Sequence, residues 1–191
     1  MKRMGLLFTA LIFILAAGCS AQEADPSVSV AQTDSAMTVI SSGITNGVID
    51  PAYGKNGEVQ ENGFPALSLP LEITGAPEGT VCFAVYMDDP DAKPLCGYRW
   101  VHWMAAGIET GSLLEDFSRT AGNSVVQGKN DNGTVGYAGP QPPDKDHTYV
   151  ITVYALDAVP DLAQGFSKKE FFVAIDGHVL AAATLEGIYR K

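Results

Sequence analysis

The stretch Gly136–Tyr154, GYAGPQPPDKDHTYVITVY, is the most informative part of the chain. Its second half, Tyr149 to Tyr154, is dense in β-branched and aromatic residues, as a buried strand requires. Its first half is a stiff loop. Pro140, Pro142 and Pro143 fix φ and remove backbone donors, while Gly136 and Gly139 admit turns that other residues resist. A rigid wall therefore delivers His147 and Tyr149 to the mouth of a strand, where residues two apart share a face. An imidazole and a phenol side by side against an apolar loop suit a small-ligand site. The plainer reading is a proline-rich hairpin with incidental polar residues.

Outward from this stretch, strands dominate. Val81–Met87 reads as a buried strand. Asp88-Asp89-Pro90-Asp91-Ala92 follows it directly, which sets carboxylates at an exposed strand end beside a fixed φ. Arg99–Ile108 reads as the return strand. Alternation there puts His102 on the face of Trp100 and Trp103 on the opposite one. Taken singly, Asp-Pro-Asp is a turn and His102 a core histidine donating to a carbonyl. Upstream, Met37–Ile40 is strand-like, and Ser41–Gly63 is loop-rich with Asn-Gly at 46–47, 56–57 and 62–63. Leu67–Ile73 alternates, with Pro70 implying an edge or a bulge. Glu109–Asn132 is a long connection. Tyr149–Leu156 is a strand, and Ser167-Lys-Lys-Glu170 is a capping box that predicts a helix over Lys168–Ile175, ended by Asp176-Gly177. His178–Tyr189 stays open: its alanines favour helix, its position a closing strand. The fold class is mainly β, with antiparallel sheets packed face to face and a helix near the C-terminus.

The 191 residues suffice for one domain with a substantial core. Twelve basic against 22 acidic residues give a net charge of −10, with no basic footprint for nucleic acid, so any anion site must be local. Cys19, Cys82 and Cys96 are too few for a disulfide framework and suit no zinc site. Cys82 starts a strand spanning about 26 Å and Cys96 lies in the loop beyond its far end, so free thiols are expected. At the start, Lys2 and Arg3 precede an apolar run, Gly5–Gly18, too short to cross a bilayer; residues 1–18 read as a signal peptide. Leu15-Ala16-Ala17-Gly18-Cys19 resembles a bacterial lipobox, with Ala16 at the usual leucine position and Leu15 one place back. The resemblance implies cleavage before Cys19, lipidation of that residue and attachment to a membrane; ordinary secretion with a chance cysteine is the alternative. Loss of Lys2 and Arg3, with no acid lost, would take the charge from −10 to −12. Ser20, where aspartate would favour inner-membrane retention, points to the outer membrane if the cell has one. Residues 19–36, rich in Ser, Ala, Gln and acids, read as a flexible tether, and residues 37–191 as the domain.

Asp-Pro-Asp-Ala (89–92), then His102-Trp103, Gly139-Pro-Gln-Pro-Pro143 and His147-Thr-Tyr149, in that order, resemble the phosphatidylethanolamine-binding protein family, in its bacterial branch. Gln127–Gly133, Tyr154–Asp157 and Gly177–Ala181 match as well, so the resemblance spans nearly the whole domain. It implies a large antiparallel sheet packed on a smaller one, with C-terminal helical structure. It also implies a small surface pocket for phosphate-like groups, the phosphoethanolamine head included. Carried over by motif position, the pocket residues are Asp89, His102, Pro142, Pro143, His147 and Tyr149, with Asp91 and Pro140 shaping the loops. The family motif continues Asp-Pro-Asp-Ala-Pro; here Lys93 takes the fifth place, with Pro94 after it, and adds a cation to the rim. Cys96 in the same loop is also idiosyncratic. No cofactor is implied.

In such a pocket His102 and His147 donate to an anion, and become cations if protonated; Tyr149 donates its hydroxyl. Asp89 orients a histidine or receives an ammonium. Anion affinity is then expected to rise as pH falls through the histidine range. Asp89, His102 and His147 also form a two-histidine, one-carboxylate set of the non-haem iron type. A hydrolase would need a nucleophile, and only Cys96 lies near in sequence; there is no Gly-x-Ser-x-Gly elbow. His178 reads as structural. The sequence thus favours an extracytoplasmic binding protein for a small anion or phospholipid headgroup. A regulator of another protein, such as a protease inhibitor acting through the rim, is the alternative, and an enzyme ranks third.

Overall fold

The computed structural model describes residues 37–123 and 125–191. The stretches read as a signal peptide and a tether, with Cys19, lie outside them. The strands are β1 (Thr38–Ile40), β2 (Ile44–Thr45), β3 (Val48–Ile49), β4 (Gln60–Glu61), β5 (Phe64–Pro65) and β6 (Leu71–Thr74), then β7 (Cys82–Asp89), β8 (Trp100–Ile108), β9 (Ser112–Leu113), β10 (Val126–Gln127), β11 (His147–Leu156) and β12 (Val179–Tyr189). The helices are α1 (Lys93–Cys96), α2 (Phe117–Thr120) and α3 (Lys168–Ile175). A seven-stranded sheet runs β10-β8-β7-β11-β12-β3-β2, and a three-stranded sheet runs β1-β6-β9. The large sheet is antiparallel except where β3 joins β12 in parallel at Val48 and Ile188.

Two apolar clusters cover the two faces of the large sheet. On one face Val39, Leu71, Ile73 and Leu113 of the small sheet meet Val85, Trp103, Ile151, Val153 and Ala181 of the large one. On the other, Phe171, Phe172 and Ile175 of α3 pack on Ala84, Tyr86, Met104 and Leu156. Each fully buried aliphatic or aromatic side chain contributes about 1.5–3 kcal/mol. β7 is covered on both faces and is buried along all its length, whereas β11 alternates and turns His147, Tyr149, Ile151 and Val153 to the inter-sheet side.

Local signals behave as their chemistry requires. Ser167 caps α3 through the reciprocal bonds of a capping box with Glu170, and Gly177 follows at φ 78°. Asn46-Gly47 and Asn62-Gly63 take positive φ and close the hairpins β2–β3 and β4–β5; Asn56-Gly57 instead belongs to a turn closed by Gly57 N–H donating to Gly54 O. The open question over His178–Tyr189 closes as a strand: β12 spans Val179–Tyr189, and its ten residue pairs with β11 outweigh the alanines' helix propensity. α3 covers Lys168–Ile175, as the capping box implied, ahead of this last strand. Other expectations are corrected. Pro70 lies outside β6, which begins at Leu71 and is central in its sheet. Asp88 and Asp89 are not exposed beyond a strand: they are the last two residues of β7, 2% and 4% exposed.

The face of Trp103 is the other correction. The β7–β8 register slips between Met87 and Asp88, pairing Met87 with Trp103 and Asp88 with Val101. His102 is the extra residue of a bulge. Trp103 consequently joins the inter-sheet core that holds Tyr149, while the His102 ring also meets Tyr149, at 5.1 Å. Both therefore lie toward one side. Among the described residues no helix is long and apolar enough to cross a membrane.

Candidate functional site

The ends of β7, β8 and β11 converge where the proline loop crosses them. The loop is pinned along its length. Ala138 N–H donates to His102 O (2.9 Å), Gly139 N–H to Pro65 O (2.8 Å), and Lys55 N–H to Pro140 O (2.9 Å). Gly139 is required by close approach: a Cβ there would lie 2.3 Å from Tyr53 O. Asp91 fixes the opposite wall, accepting from Thr148 N–H at 2.9 Å and from Lys145 Nζ at 3.0 Å. Those two bonds hold its carboxyl below the usual aspartate range.

Between these walls is a cavity of about 250 Å³ lined by Asp89, His102, Pro143, His147 and Tyr149. Pro142, expected there from motif position, is buried and not among the lining residues; Pro140 acts through its carbonyl. Gly139, Gln141 and Asn132 complete the wall, and Ala92, Leu95, Cys96 and Trp100 form the side contributed by the β7–β8 connection. Lys93, the expected rim cation, is exposed on α1 and is not one of the lining residues.

Asp89 is the hinge of the site. Its Oδ1 accepts from Ala92 N–H (3.1 Å), closing the 3-10 turn Pro90–Ala92, and its Oδ2 meets His147 Nδ1 at 2.6 Å. His147 Nε2 meets Asp144 Oδ1 at 2.8 Å. Burial works against a charged His147, but the bonds to Asp89 and Asp144 outweigh it and raise its pKa above the ordinary histidine value. Asp144 responds in kind and is held below the usual range by its bond to His147.

His102 behaves oppositely. Its Nδ1 bonds Ala138 O, and a carbonyl can only accept, so Nδ1 carries the proton. Burial lowers its pKa, more than the bond to Ala138 and the nearby Asp89 raise it, and the ring is neutral near pH 7. Its Nε2 is then an acceptor. Burial, and next the Asp89 carboxylate, hold the Tyr149 phenol protonated. The expectation that both imidazoles donate into the pocket is therefore corrected: His102 accepts, and both nitrogens of His147 are already taken. What faces the cavity is the Tyr149 phenol, itself bonded to the Asp89 carboxylate, beside carboxylate and imidazole acceptors, an arrangement that suits a ligand carrying both an ammonium and an oxyanion.

The other readings meet specific obstacles. A metal would need a ring lone pair, whereas His147 donates N–H to carboxylates at both nitrogens, and among the described residues no group of three or more His, Cys, Asp or Glu is placed to hold a metal ion. Cys96 does line the cavity, but its Sγ bonds Ala92 O and Tyr98 O and no imidazole. Cys82 and Cys96 are both free thiols. His178 pairs with Asp157 on the surface, outside this cavity. Asp144, Gln141 and Asn132 were not named as site residues, although Gln141 and Asn132 lie inside the matched stretches Gly139–Pro143 and Gln127–Gly133. For Asp144 the available signal was a carboxylate three residues before an imidazole at a loop–strand junction.

Residues 40–190 match the family described as phosphatidylethanolamine-binding protein. The uncharacterized protein YxkA of Bacillus subtilis is 36% identical over 144 residues, covering 69% of this chain and 86% of that one. A UPF0098 protein of Methanothermobacter thermautotrophicus is 43% identical over 129 residues, covering 65% and 83%. Among solved structures, a phosphatidylethanolamine-binding protein homologue of Chlamydia trachomatis superposes with a TM-score of 0.71 at 31% identity, covering 82% of this chain and 99% of the other. YbcL of E. coli, described as a member of the mammalian PEBP family, gives 0.69 at 31% identity, covering 81% and 98%.

Proposed function

The chain belongs to the phosphatidylethanolamine-binding protein family, and from that premise we propose that it is a binding protein whose cavity takes a small phosphate-bearing headgroup of the phosphoethanolamine type. The observation that carries this reading is the convergence of Asp89, His102, His147 and Tyr149 on one cavity of about 250 Å³. That volume is below the range of about 300–1,000 Å³ usual for drug-sized ligands, so a headgroup fits and an acyl chain does not. Asp89 and the neutral His102 supply acceptors for an ammonium; Tyr149 supplies a phenolic donor for a phosphate, and the His147 imidazolium supplies positive charge beside it. Among the described residues no nucleophile facing the cavity has a base beside it, Cys96 included, which favours binding over turnover.

Titration of residues 37–191 with phosphoethanolamine, followed by imidazole NMR, tests this. Signals of His102 and His147 are expected to move together while His178 stays still. Because the His147 pKa is raised, its cation persists above the ordinary value and is lost as pH rises through the raised one. Affinity is thus expected to weaken as pH rises past the ordinary histidine value and through the raised one. An unmoved His102 and His147, or affinity that is flat or climbs as pH rises through that range, would sink the reading.

We further place the protein at the bacterial cell envelope, held by lipid on Cys19, on the strength of the Gly5–Cys19 stretch. Cys19→Ser is expected to shift the protein from the membrane fraction to the soluble fraction of expressing bacteria. A variant that stays with the membrane contradicts attachment at that residue.

A further inference from the structure

His147 has two ring nitrogens, and both are engaged: Nδ1 with Asp89 at 2.6 Å and Nε2 with Asp144 at 2.8 Å. An imidazolium has no third N–H to offer. An oxyanion can therefore reach this ring only if one carboxylate leaves. The two carboxylates are unequally held. The Asp89 side chain is 5% exposed and also closes the turn at Ala92. The Asp144 side chain is 46% exposed and sits in the loop just after Pro143, where rotation carries it into water. Exposed ion pairs are weak, so its release costs little.

We propose that Asp144 is a built-in competitor for the ligand: its carboxylate occupies the position on His147 Nε2 that an oxyanion takes, and binding proceeds by displacing it. This rests on the headgroup reading above. The imidazolium keeps Asp89 as its fixed partner and exchanges one carboxylate for a phosphate oxygen. Asp144 thereby lowers the apparent affinity for any oxyanion, because every binding event must first break its contact and then tolerate its charge nearby. The shared chemistry is a phosphate oxygen, from a lipid headgroup or from free phosphate.

Calorimetric titration of the 37–191 domain with inorganic phosphate and, separately, phosphoethanolamine tests this in wild type, Asp144→Ala, Asp144→Glu and Asp146→Ala. Asp144→Ala is expected to bind about fivefold tighter. Asp144→Glu, which restores a carboxylate, is expected to bind like wild type. Asp146→Ala removes the same charge from the same loop but not from His147, since Asp146 accepts from Lys191 N–H, and is expected to change affinity by less than about twofold. The probe bound more tightly identifies the source of the phosphate. Equal affinity in Asp144→Ala and wild type, or an equal gain in Asp146→Ala, overturns the competitor role and leaves the headgroup site standing. Absence of binding of both probes to all four proteins overturns both.

Discussion

Asp89→Ala is expected to cost about 3 kcal/mol of stability at pH 6 and to abolish headgroup binding. Three interactions go at once. Ala92 N–H, buried in the turn after β7, loses its acceptor. The buried His147 ring loses its fixed partner and keeps only the half-exposed Asp144. The cavity loses the carboxylate that faces a ligand ammonium. The pH dependence has a definite sign. His147 has a raised folded pKa, so its contribution is fully present below its unfolded value, about 6.5, and is lost as pH rises through the folded one. The penalty of Asp89→Ala should therefore be larger near pH 6 than near pH 9. His102, with its lowered pKa, works the other way: its contribution is present above the ordinary value and fades as pH falls. Asp89 is one of the charges that raise the His102 pKa, so its removal lowers that pKa further and keeps this ring neutral; the change in penalty from pH 6 to pH 9 therefore reports His147. Urea unfolding at pH 6 and pH 9 reads both numbers. A penalty that grows from pH 6 to pH 9 would show that His147 is neutral in the folded protein.

What the sequence revealed and what it hid follow one physical division. Features set by residues close along the chain were legible. Ser167 and Glu170 announced their capping box, and His147 and Tyr149 their shared face, because cap geometry and strand period are local. The four ordered motifs made the family legible too. Features set by distant partners were not. Asp88 and Asp89 beside a proline look like a surface turn. They are buried because Arg99 grips Asp88 with two bonds, at 2.5 and 2.6 Å, and His147, 58 residues on, meets Asp89. For His102 the plainer reading, a core histidine donating to a carbonyl, holds over that of a donor to the ligand, but the carbonyl concerned, that of Ala138, lies 36 residues away and was not legible. The helix-or-strand question over residues 178–189 could not be closed locally, because a run of alanines becomes a strand only when β11 presents a ladder to pair with. The face of Trp103 depended on a register slip, which belongs to two strands and to neither alone.

That slip leads to the other large effect, Trp103→Ala, expected to cost about 4 kcal/mol. Trp103 is 1% exposed between the sheets, meets Tyr137 edge-on at 5.9 Å, and donates from Nε1 to Gln127 Oε1 at 3.0 Å. Truncation leaves a large void where the bulge turns, and close-packed neighbours fill such a void only in part. Gln127 keeps Ser118 as a donor, so the loss is chiefly one of packing. The site feels it because His102 is the extra residue of the same bulge. With the indole gone, the constraint that aims the His102 ring at Tyr149 and Ala138 relaxes, and its lowered pKa should move back toward the ordinary value. Trp100→Ala is the informative contrast. Trp100 is half-buried, lines the cavity and stacks on the exposed Tyr98 at 5.9 Å, so its loss should cost stability about 1 kcal/mol or less while weakening ligand binding. Urea unfolding of both variants, with the His102 titration, separates the two tryptophans. A Trp103→Ala penalty near that of Trp100→Ala would mean that the indole does not enter the core, and that simple alternation, with His102 and Trp103 on opposite faces, is the correct description of β8.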